Sequence, residues 1–93
     1  MERRRLWAEA RDELVSQLEK LGFPAELGEC IARHLGSPRA IVRMTSWLHY
    51  EQPHSAELIV DEMLAIRSEI DAWREKKAAQ EANERLNERL HRR

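Results

Sequence analysis

Sixteen Lys and Arg against 17 Asp and Glu leave these 93 residues with a formal net charge of −1, which argues against a protein whose task is to neutralise phosphates. Hydrophobic residues make up 42% and charged ones 35%, with three glycines and three prolines, a profile of helices with solvated outer faces. The length allows a single domain with a modest core, and no segment approaches the roughly 20 apolar residues of a membrane span.

No run alternates apolar and polar residues for long enough to read as a strand. The expected fold is all-α, a compact three-helix unit closed by a long fourth C-terminal helix that projects beyond it. Residues 1–73 form the helical domain in this reading, and 74–93 form the charged distal part of the last helix, projecting or frayed. The start of the chain has the positive charges of a signal peptide but no apolar run behind them. A single cysteine, Cys30, cannot staple the fold and fits a reducing compartment. A cytoplasmic location is expected.

The first helix is expected from Glu2 to Lys20, where Trp7, Ala10, Leu14, Leu18 and Leu21 step by three and four and Leu6 and Val15 widen the stripe. Arg3, Arg4 and Arg5 form a basic cluster, but Glu2, Glu9, Asp12 and Glu13 surround it, so it reads as a solvated helix start. Gly22 supplies the left-handed stop, Phe23 turns inward, and Pro24 takes the first position of the second helix. There Leu27, Cys30, Ile31, His34 and Leu35 share one apolar face.

Gly36 closes that helix, Ser37 caps the next, and Pro38 opens it. Ala40, Ile41, Met44, Trp47 and Leu48 face inward, with Val42 beside them. The third helix stops at Glu51-Gln52-Pro53, because the residue before proline is pushed out of the helical region. Ile31, Ile41, Met44 and Leu48 are expected in the core.

Ser55 caps the fourth helix, and neither Gly nor Pro interrupts 55–93. Its front half carries Ile59, Met63, Ile66, Ile70 and Trp73 in a 4-3-4-3 seam like that of a coiled coil. The back half keeps Ala78, Ala79, Ala82, Leu86 and Leu90 among charged residues. Residues 54–73 hold one positive and five negative groups, whereas 74–93 hold seven positive and four negative. Thirty-nine residues at about 1.5 Å each form a rod of about 58 Å. A globule of this length spans only about 30–35 Å, so the rod must overhang.

Chemistry-bearing constellations are sparse. Cys30 and His34 lie one turn apart, but His49 and His54 complete no zinc spacing, so a core cysteine beside a half-buried histidine is the better reading. A Cys–His nucleophile pair would sit on an apolar face with no room for a cleft. No phosphate loop, nucleophile elbow or dinucleotide fingerprint occurs. Neither catalysis, a cofactor nor a metal is expected.

The run IARHLGSPRAIVR resembles the helix-turn-helix of bacterial repressors, with Ala32, Gly36 and Val42 at the small, turn and core-aliphatic positions. That resemblance implies Arg39 and Arg43 on base edges and Ser37 on phosphate. Ser37 departs from the apolar residue usual there, and Thr45 from the second aliphatic. The wider stretch is similar to the ubiquitin-associated (UBA) domain family. Leu21-Gly22-Phe23 resembles that family's Met-Gly-Phe loop, with Leu for Met, and the distances to Ser37 and to Trp47-Leu48 also fit. This implies a three-helix fold with a partner-binding surface of Leu21, Gly22, Phe23, Trp47 and Leu48. The reading in which these residues simply close the core is favoured over it, because helical apolar stripes are usually core. Taken whole, the chain also resembles small uncharacterised bacterial helical proteins, a likeness that implies no function.

The expected role is that of a non-enzymatic protein–protein interaction or self-association module. Its partner would be a second copy, in an antiparallel dimer through Ala82, Leu86 and Leu90, or another protein. Nucleic acid and membrane are not expected partners. The alternative is a helix-turn-helix DNA-binding regulator using the helix 38–50.

Overall fold

Three short turns cut the chain into four helices. The computed structural model describes residues 2–91 and places α1 at Glu2–Lys20, α2 at Ala25–Leu35, α3 at Pro38–Glu51 and α4 at Ala56–His91. The fold is all-α as expected, with the long C-terminal helix present and no strand among the described residues.

Each boundary has a backbone cause. Gly22 sits at φ +94°. Its N–H donates to Glu19 O at 3.0 Å while the Phe23 N–H donates to Leu18 O at 2.9 Å, the paired bonds of a Schellman stop. Pro24 falls one residue short of its expected place. It is the extended N-cap before Ala25, and its carbonyl accepts from the Leu27 N–H. Gly36, at φ +79°, ends α2 by donating its N–H to Ala32 O at 3.0 Å. The Ser37 Oγ then accepts from the Ala40 N–H at 3.2 Å and caps α3, with Pro38 at its start. Gln52 closes α3 in the left-handed region, and Pro53 behind it is buried. Ser55 Oγ accepts from the Glu57 N–H at the start of α4.

The core is apolar throughout. Leu14 and Leu18 come from α1, Ile31 and Leu35 from α2, Ile41, Met44 and Leu48 from α3, and Ile59 and Ile66 from α4. No described polar or charged side chain is buried. The helices α1 and α3 run in the same direction, since Leu6 and Glu9 share a groove with Pro38 and Arg39 while Gln17 and Lys20 share another with His49 and Tyr50. Helices α2 and α3 form the middle layer. Helix α1 packs on one side of it and α4 on the other, and the backbones of α1 and α4 make no close approach among the described residues.

Several expected inward positions lie elsewhere. On α2 the buried face is Gly28, Ile31, Ala32 and Leu35, so Cys30 and His34 are exposed rather than on the core face. The helix is rotated because α1 claims the Gly28 side, where a Cβ would meet Val15 Cγ2 at 2.7 Å. Val42 and Leu6 are about half exposed, at 50% and 54%, because they flank the α1–α3 contact and no described residue covers it.

Helix α4 gives the molecule its shape. The longest extent is 63 Å against 31 and 19 Å, with a radius of gyration of 17.6 Å. A compact chain of this length would have about 12 Å.

Candidate functional site

The two sides of α4 differ in what they can bind. Its inner side seats Ile59, Met63 and Ile66 in the core, with Ile70 half-buried. About five turns on, those four positions recur as Lys77, Glu81, Glu84 and Glu88. The seam therefore ends because its apolar residues end. Trp73, expected within it, is instead 62% exposed at the rim, beside Ser37 and Arg39 where α3 begins. The Lys77 Nζ lies 5.1 Å from its ring centre. From Asp71 to Glu88 every side chain is exposed.

The outer side carries Ala65, Ser68, Ala72, Ala79, Ala82 and Leu86, all exposed. At 3.6 residues per turn these lie about 180° around the helix from the seam. They are spaced by threes and fours, with Glu75 the one interruption between Ala72 and Ala79. Leu64, 48% exposed, borders them. The expected self-association residues Ala82 and Leu86 thus face away from the core side, and the Leu90 side chain lies outside the described residues. The expected residues are the distal members of this face, and Leu64, Ala65, Ser68 and Ala72 continue it toward the globular body. The alternating spacing was the signal for them, but the stronger inner seam on the same turns masked it.

Parallel α1 and α3 bring the other candidate surface to one end of the fold. Leu21, Phe23 and Trp47 are half-buried against the core, and Gly22 is exposed. Leu48 is fully buried and offers nothing to a partner, because it lies on the side of α3 that faces the core.

On the outward face of α3, Arg39, Val42, Arg43, Ser46, His49 and Tyr50 are exposed. Arg43 is paired with Glu69 of α4. Glu9, Asp12 and Glu13 of α1 share a groove with Arg39 and Val42. The Ser37 hydroxyl is engaged in capping. Arginines and carboxylates therefore interleave here, and the face has no uniform positive field.

Among the described residues, no three His, Cys, Asp or Glu side chains come together in a way that could hold a metal ion. No described helix is long and apolar enough to cross a membrane. Arg67 ties α4 to the end of α2, donating to His34 O and pairing with Asp71, each at 3.4 Å.

No protein-family model, curated protein or solved structure matches this chain. The likeness at Leu21-Gly22-Phe23 and that at the Gly36 turn rest on their own residues.

Proposed function

We propose that this protein is a non-enzymatic self-association module, assembling with a second copy of itself through the projecting part of α4. One observation carries the reading. The helix continues for several turns past Trp73 with every described side chain exposed, Leu86 among them at 57%. The stretch is rich in good helix formers, but a helix that buries no face is marginal in water, and packing against a partner would stabilise it. The opposite charge balance of 54–73 and 74–93 suits a second copy running the other way. The single cysteine agrees with a cytoplasmic setting.

Deleting residues 76–93 and measuring mass in solution tests it. An oligomer reduced to a folded monomer is the expected result. A full-length protein that is monomeric at every concentration, with rapidly exchanging amides beyond Lys77, overturns it.

A second reading, a DNA-binding regulator, is favoured by the uncovered face of α3 that carries Arg39 and Arg43. The Arg43–Glu69 pair and the acidic α1 edge weigh against it. A steeply salt-dependent complex with duplex DNA at roughly 10⁻⁸–10⁻¹¹ M, weakened by Arg39→Ala with Arg43→Ala, would put this reading first.

A further inference from the structure

We infer that the surface joining two copies is the outer face along most of α4, from Ala65 to Leu86, with the helices antiparallel and each globular body on the far side of its own helix. This rests on the self-association proposed above and specifies its face and direction. The distal apolar residues do not extend the core seam. They continue a face that begins beside the globular body at Leu64 and Ala65, opposite Ile59, Met63 and Ile66. The body packs only on the inner side of α4, so a second helix can lie along the whole outer side unobstructed.

Charge selects the direction. Aligned in parallel, two copies set acidic front half against acidic front half and Glu75 against Glu75. Reversed, each acidic half meets a basic one. With Ala65 opposite Ala82 of the second copy, Glu69 on one edge falls beside Lys76 of the other, and this happens twice by symmetry. Glu75 then faces Ala72, whose small side chain leaves the carboxylate a path to water.

The dimensions are those of a modest interface. In this register Leu86 reaches back to Asp61 of the second copy, so the shared strip runs over 61–86, about 39 Å of helix, and at roughly 10 Å wide it covers on the order of 800 Å² over both copies. Stable complexes bury about 1,200–2,000 Å², so the pairing is expected to dissociate on dilution.

Cysteine cross-linking in the full-length chain, with Cys30→Ser as background, tests face and direction separately from association itself. Ala65→Cys protein mixed with Ala82→Cys protein should give a mixed disulfide dimer, and Lys77→Cys, on the inner side, should give none. In the uncross-linked protein, Glu75→Leu should shift dissociation to lower concentration. Ala82→Cys linking chiefly to itself would mean parallel helices and overturn the inference. So would efficient linking through Lys77→Cys, or a dimer by mass in which the Ala65→Cys and Ala82→Cys pair does not link. In those three cases self-association still stands. A protein that is monomeric at every concentration overturns both.

Discussion

Gly28 in α2 lies directly against Val15 in α1. A methyl group at position 28 would fall 2.7 Å from Val15 Cγ2 and 3.0 Å from the Val15 α-carbon. The second distance involves backbone, so a rotamer change at Val15 cannot relieve it and the helices must move apart. Gly28→Ala gains about 1 kcal/mol of helix propensity but meets an overpacking cost of about 1–3 kcal/mol. A lower melting temperature is expected. Combining it with Val15→Ala should cost less than the sum of the two single changes, because the clash with the side chain is gone while that with the backbone remains. Equal or higher stability for Gly28→Ala alone would contradict the close α1–α2 approach.

Ile31 is 1% exposed and Val42 is 50% exposed, although both are aliphatic residues near the same turn. Ile31→Ala should cost about 2–5 kcal/mol. At roughly 4–8 °C per kcal/mol for a domain of this size, the melting temperature falls by tens of degrees at the upper end. Val42→Ala should change stability by no more than about 0.5 kcal/mol. Parallel thermal melts compare the two, and similar losses would undo the packing described for α3.

Ser37 gives its hydroxyl to the start of α3 at the tight turn that joins the two middle helices. Ser37→Ala removes the acceptor and should destabilise by about 1 kcal/mol, whereas Ser37→Asp keeps one and should be close to neutral. Chemical denaturation of both variants separates loss of the cap from a general intolerance of change at this position.

A module assembled through α4 has a stability that depends on its own concentration. The melting temperature of the full-length chain should rise with protein concentration, and that of a chain lacking 76–93 should not. Amides of 77–88 should exchange slowly only where the dimer is populated. Rapid exchange there at high concentration would mean that nothing covers this stretch.

Most helix boundaries were legible in the residues, although Pro24 proved to be the cap before α2 and not its first residue. Gly22, Gly36 and Pro53 stop helices through local backbone geometry, which needs no tertiary context, and α1 and α3 keep their expected boundaries. The core members Ile31, Ile41, Met44 and Leu48 were legible too, because an apolar residue at the centre of a stripe is buried from whichever side the neighbour arrives. The edges of each stripe were not. Cys30 and His34 looked inward by spacing but are exposed, because α1 docks on Gly28 and turns the helix away from them. Trp73 lies on the seam by spacing yet stands at the rim, since α3 begins beside it and supplies no further surface to cover it. Spacing fixes which side chains share a face of a helix. Which face is covered, and for how many turns, depends on where the neighbouring helices lie, and that is set only when they pack.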